Sequence, residues 1–198
     1  MQQYKVVTPP ATEPCSLAEL RQHMRVFVQD DNEDAYIASL GKTARELLEA
    51  KVCRSLVTQT LDAKLDGFPT TDDRAPQTIK LLYPPLQSIS SINYIDPDGV
   101  EQTLSPSTYA VAEGTPGLVA RLANSWPSTS DRPGSVTVRF VAGYGDADDV
   151  PEVAKLCVKI MAAHWYDRRE PIVTGTIVAT LPFMLDSLAA SLFWGSYP

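Results

Sequence analysis

From Leu56 to Tyr144 the chain runs in short stretches of alternating apolar and polar residues separated by turn formers, the texture of an antiparallel sheet. The expected strands are "LVTQTLDAKL", "TIKLLY", "SINYI", "VEQTL", "TYAVA", "GLVARL" and "SVTVRFVAGY". In "SVTVRF", Val136, Val138 and Phe140 fall on one face and are expected in the core, with Thr137 and Arg139 facing out. "DPDG" after Ile95 places proline second and glycine fourth, as a tight hairpin turn does, and lacks the remaining ligand spacing of a calcium loop. Residues 123–135, "ANSWPSTSDRPGS", are too polar and proline-rich for a strand and too long for a tight turn. They are expected as an exposed loop open to a partner.

Helical periods flank this region, so the fold class is α+β: an N-terminal helical hairpin over residues 16–53, a central antiparallel β region over 56–145, and C-terminal helices. Residues 1–15, with Pro9, Pro10 and Pro14, read as an extended arm. Ser16 and Glu19 form a capping box, after which Leu17, Leu20, Met24 and Phe27 recur at helical steps. The acids of "QDDNED" are explained by a second helix capped by Asp31 or Asn32, since anions are favoured at its positive end. That helix carries Tyr36, Leu40, Ala44, Leu47 and Leu48 on one side. With 198 residues, one domain with one core is expected.

The helix over residues 150–170 opens at "GDADDVPE", where Asp149 or a neighbour is expected to cap, Pro151 suits the first turn, and Glu152 meets the positive end of the helix. In "PEVAKLCVKIMAAHWY" the only charges after the first turn are Lys155 and Lys159, four apart and on one face. The other faces are apolar, so the helix is expected to be covered by its own domain or by a neighbouring subunit. Val153, Leu156, Ile160, Trp165, Tyr166 and Arg168 are the candidate interface residues along it. Residues 171–198 form an apolar tail with a short helix expected from about Pro182 to Leu192. Its Phe183, Leu185, Leu188, Phe193 and Trp194 are a large apolar load for a terminus, and are expected to dock on something.

No template for catalysis or for cofactor binding is met: there is no Walker loop, no GxGxxG after a strand, no HExxH and no GxSxG. The histidines are His23 and His164, and Cys157 lies two helical turns from His164, too far to share a proton. In "AAHWYDRRE", His164 reads as a packed side chain, Arg168 and Arg169 as cations at a helix C-terminus beside Asp167 and Glu170, and Pro171 as the stop. Cysteines at 15, 53 and 157 form no CxxC pair and are odd in number, which argues for reduced thiols rather than a disulfide framework or zinc site. A net charge of −7 and a pI near 4.8 argue against wrapping DNA or binding an anionic membrane. Residues 1–17 lack the basic start and apolar run of a secretory signal, and no apolar run is long enough to span a bilayer, so the product is expected to stay in the cytoplasm that makes it.

The order of these parts resembles the head-to-tail connector, or adaptor, proteins of long-tailed bacteriophages. The matching stretches are "SLAELRQHMRV", "CRSLVTQT", "LDGFP", "LLYPPLQSISSINYIDPDGVEQTL", "VRFVAGYGDADDVPE", "AAHWYDRRE" and "LPFMLDSLAA", in family order over residues 16–190. The resemblance implies a non-catalytic subunit of a dodecameric ring in the virion neck, made in the host bacterium. Its partners would be further copies of itself, the portal protein, and a neck or tail-completion protein. DNA would pass through its channel without sequence-specific binding, and portal contacts would lie in residues 172–194. Three other readings compete: a stopper or tail-completion protein of the same neck; a small metal-dependent enzyme using Asp146, Asp148, Asp149 and Glu152; and a DNA-binding accessory factor.

Overall fold

The computed structural model describes residues 2–27, 31–69, 78–115, 117–122, 125–168 and 182–192. The fold is α+β and divides into two compact units, one of residues 1–11 and 58–143, the other of residues 12–57 and 144–198. Where chain length leads one to expect a single core, the buried side chains form two clusters, one in each unit. Each unit is built from chain segments distant in sequence, so a length argument cannot see the division.

The first unit holds strands β1 (Gln3–Thr8), β2 (Gln59–Leu65), β3 (Thr78–Leu81), β4 (Leu86–Ile95), β5 (Glu101–Thr103), β6 (Tyr109–Ala112), β7 (Gly117–Arg121) and β8 (Val136–Ala142). They form a five-stranded sheet in the order β1-β2-β8-β4-β5 and a three-stranded sheet in the order β3-β7-β6, antiparallel throughout. Every strand expected between Leu56 and Tyr144 is present. β8 is central, and its Val136, Val138, Phe140 and Ala142 are buried while Arg139 is exposed, as the alternation requires. Arg139 reaches across to its register partner Asp62 on β2, donating two hydrogen bonds at 2.7 and 2.8 Å. The "DPDG" turn closes with Gly99 N donating to the Asp96 carbonyl, and the Asp96 carboxylate accepts from the amides of Asp98 and Val100.

The extended arm expected over residues 1–15 does not stand apart from the sheet: its Gln3–Thr8 part is β1, which pairs along β2 from Gln3↔Lys64 to Val6↔Leu61. Only Tyr4 turns inward, against Tyr83 and Phe140, and with one inward side chain the strand has no alternation to read. Nor is the loop over 123–135 wholly exposed, because Trp126 is 8% exposed and stacks on Phe68, and Ser135 is buried.

The second unit holds α1 (Leu17–Met24), α2 (Asp31–Val52), α3 (Glu152–Asp167) and α4 (Pro182–Leu192). The capping box forms as expected, with Glu19 N donating to Ser16 Oγ and Ser16 N donating to the Glu19 carboxylate; such a cap contributes about 1 kcal/mol. α1 ends at Met24 with Arg25 left-handed, so Phe27 lies beyond the helix and is 82% exposed rather than on its apolar stripe. α2 begins at Asp31; the side chains of Asp31 and Asn32 lie outside the described residues. Its buried side is Ile37, Ala44, Leu48 and Val52, and Leu47, expected there, is 49% exposed. At Gly41 a Cβ would sit 2.6 Å from Leu20 Cδ1, so the absent side chain lets α1 approach α2.

Candidate assembly surface

α3 follows a short 3-10 turn over Ala147–Asp149. Asp149 does not cap α3: its carboxylate accepts from Asp146 N and closes the 3-10 turn, and Pro151 takes the N-cap position with no side-chain bond. α3 stops at Asp167 with Arg168 at the C-cap; Arg169, Glu170 and Pro171 lie outside the described residues.

The helix presents one buried side, Ala154, Cys157, Val158 and Ala162, to α1, α2 and α4, small residues that permit close packing. The remainder is less covered than the apolar composition suggests. Val153, Trp165 and Tyr166 are half-buried against this cluster, Ile160 is half-buried, and Arg168 is exposed. Tyr166 lies 6.3 Å from the ring of Tyr36. The sharpest departure is a reversal of neighbours: Lys155, a charge, is 7% exposed, and Leu156 is 40% exposed. Lys155 Nζ donates to Glu152 Oε1 at 3.1 Å, and that bond raises the pKa of its ammonium. Leu188 on α4 packs against the same cluster; the side chains of Phe183 and Leu185, and residues Phe193 and Trp194 entirely, lie outside the described residues.

A feature of α2 that the sequence reading missed holds the segment after β1 in place. Arg45, buried, donates to Glu13 Oε2 at 2.7 Å and to Glu49 Oε2 at 2.8 Å, and Glu49 Oε1 accepts from Leu56 N. Burial opposes the Arg45 charge, but the bonds and charges of Glu13 and Glu49 more than offset it and its pKa is raised. The spacing of Arg45 and Glu49 was a visible signal, but it is also that of an ordinary surface pair. Glu13 joins from 32 residues away.

A cleft of about 610 Å³ lies among α1, α2, α3 and the segment leading into α1, with Glu13, Cys15, Glu19, Asp148 and Lys155 in its lining. Cys15 is buried there; burial is the main reason its thiol is pushed up to about 11, and its Sγ donates to the Lys155 carbonyl. Burial likewise raises Cys157. Neither is a poised nucleophile. Two of the four carboxylates weighed as a metal site are turned to internal partners, Asp149 to Asp146 N and Glu152 to Lys155. Among the described residues no group of three or more His, Cys, Asp or Glu side chains is placed to hold a metal ion. No described helix is long and apolar enough to cross a membrane.

No protein-family model matches the sequence, and no curated protein matches it. Solved structures do. A chain in the neck of an empty gene transfer agent particle, computed with C6 symmetry, superimposes with a TM-score of 0.79 at 20% identity, over 99% of this chain and 97% of that one. A chain in the virion of a native gene transfer agent particle gives 0.76 at 20% identity over the same shares. A chain in the neck of a native particle, computed with C12 symmetry, gives 0.69 at 18% identity over 100% and 97%. At these identities the likeness is one of fold, and it extends over both units.

Proposed function

We propose that the chain is a structural subunit of a virion neck, a head-to-tail connector that assembles with copies of itself into a ring between portal and tail. The observation that carries this is the end-to-end fold likeness to chains of gene transfer agent necks with C6 and C12 symmetry. The exposure of Leu156 on a helix with few charges supports it, since a solvated helix face carries polar side chains. On this reading the ring is dodecameric and non-enzymatic, and DNA crosses its channel past an acidic protein that repels it. Subunit contacts lie along Val153, Leu156, Ile160, Trp165, Tyr166 and Arg168. The portal is gripped by residues 172–194, including Phe183, Leu185 and Leu188, with Phe193 and Trp194 at their end. A stopper of the same neck is the second reading, because the fold likeness is to neck chains without a stated position in the neck.

Native mass of the purified protein across concentrations, alone and with the portal protein of the same genome, tests this. A ring-sized species, or monomers joining the portal in a fixed ring stoichiometry, supports the connector. A monomer that ignores the portal at every concentration overturns it.

A further inference from the structure

β1 is joined to the rest of the molecule in an unusual way. It is an edge strand of its sheet, it belongs to the β unit, and the chain leaves it directly for the helical unit. Its main packing partner is β2. Five of its six residues are exposed, and Val6 and Val7 are among the exposed large apolar side chains. Its one inward side chain, Tyr4, accepts a hydrogen bond from Leu82 N through its hydroxyl and touches Tyr83 and Phe140. The strand is therefore held by backbone pairing and a single aromatic plug, both of which any identical β unit offers equally.

The connection is equally specific. Thr8 ends the strand, and the chain is fixed again at Glu13, which is ion-paired to buried Arg45, and at buried Pro14 and Cys15. Between these fixed points run Pro9, Pro10, Ala11 and Thr12. Two adjacent prolines resist folding back on themselves and hold a connector extended. The five backbone steps from Thr8 to Glu13 reach at most roughly 18 Å, so the strand can be delivered only to a sheet within that distance of Glu13. Short, stiff hinges of this kind favour exchange of the attached element between copies, since each exchanged contact duplicates one already made within the chain.

We infer that in the assembled ring β1 pairs with β2 of the adjacent copy, so that each subunit donates its Gln3–Thr8 strand to the next. This rests on the ring reading above, and it names the occupant of the β2 edge as a second copy of this chain. Head-to-tail donation is a heterologous contact, the kind that closes into a ring. The register within the chain fixes that between chains: Gln3 opposite Lys64 and Lys5 opposite Asp62.

The test uses the full chain with Gln3→Cys and Lys64→Cys, exposed positions directly opposite in the register, and Cys53→Ala to remove the half-exposed native thiol. Assembled protein, alone or on the portal, is oxidised and run on a denaturing gel without reductant. Exchange gives a ladder of covalently linked chains extending to ring size. Ring-sized particles whose chains all run as internally bridged monomers overturn the exchange and leave the ring reading intact. Protein that stays monomeric with and without portal, bridged only internally, overturns both.

Should the cysteine variant fail to fold, the unmodified protein gives the same answer by zero-length coupling of the Lys5 amine to the Asp62 carboxylate. Rings are assembled from mixed heavy-nitrogen-labelled and unlabelled chains. Coupled peptides joining a labelled to an unlabelled chain, as abundant as those joining like chains, are the expected result; their complete absence from the coupled material overturns the exchange.

Discussion

Trp126 lies flat on Phe68, with ring centroids 4.7 Å apart and planes 5° from parallel. The contact fastens a proline-rich polar loop to the β core, and Phe68 in turn meets Tyr94 edge-on. Trp126→Ala is expected to lower stability by about 3 kcal/mol, the low end for deleting a large buried aromatic, with Trp126→Phe milder. Urea denaturation followed by circular dichroism measures it; a change within about 0.5 kcal/mol would mean that the loop does not depend on this ring.

Arg45 lies inside the helical unit with two carboxylates, and removing it takes from buried Glu49 the guanidinium that bonds it at 2.8 Å. Arg45→Ala is expected to cost about 3–5 kcal/mol. Glu46, 55% exposed and 3.4 Å from the same guanidinium, is a surface partner, and Glu46→Ala is expected to cost under about 1 kcal/mol. Equal losses from the two substitutions would contradict the burial argument.

Acid sensitivity of the β unit is expected to pass through Asp62. Hydrogen bonds from Arg139 hold its pKa below the ordinary 3.8, against the opposing effect of burial. The folded value is the lower one, so the stabilisation is full above the unfolded value of about 3.9 and is lost as pH falls through the folded value. Because Arg139 is 46% exposed, solvent screens the pair and the contribution is small. Urea midpoints compared at about pH 5 and about pH 3 should fall less for Asp62→Asn than for the unaltered protein; identical falls would remove Asp62 from the account.

Of the three free thiols, Cys53 alone is not buried. An aromatic disulfide reagent at neutral pH is expected to titrate one thiol quickly, and Cys53→Ala to abolish that phase. With Cys15 raised to about 11, its thiolate fraction at neutral pH is roughly one part in ten thousand. Two or more fast thiols in the native protein would show that the helical cluster opens readily.

Leu156→Glu separates assembly from folding. The side chain is 40% exposed within the subunit, so stability is expected to change by less than about 0.5 kcal/mol. If α3 meets a neighbouring copy, the same change buries an unpaired charge in the contact, and the native mass falls from ring to monomer. A ring of unaltered mass would move the subunit contact away from this residue.

The sequence by itself determined element type and strand facing. The period-two pattern of β8, the Ser16–Glu19 box and the "DPDG" turn depend on residues a few positions apart, and local geometry fixes their outcome. Only the tertiary structure decided what became of groups whose partners are far along the chain. β1 is a strand because β2 accepts it, Arg45 is buried because Glu13 arrives to neutralise it, and Trp126 is covered because Phe68 lies beneath it. On α3 the composition allowed several apolar faces, and the packing of α1, α2 and α4 selected the small-residue side, covering Lys155 and exposing Leu156. Burial is a property of the whole set of neighbours, which spacing along one helix does not encode.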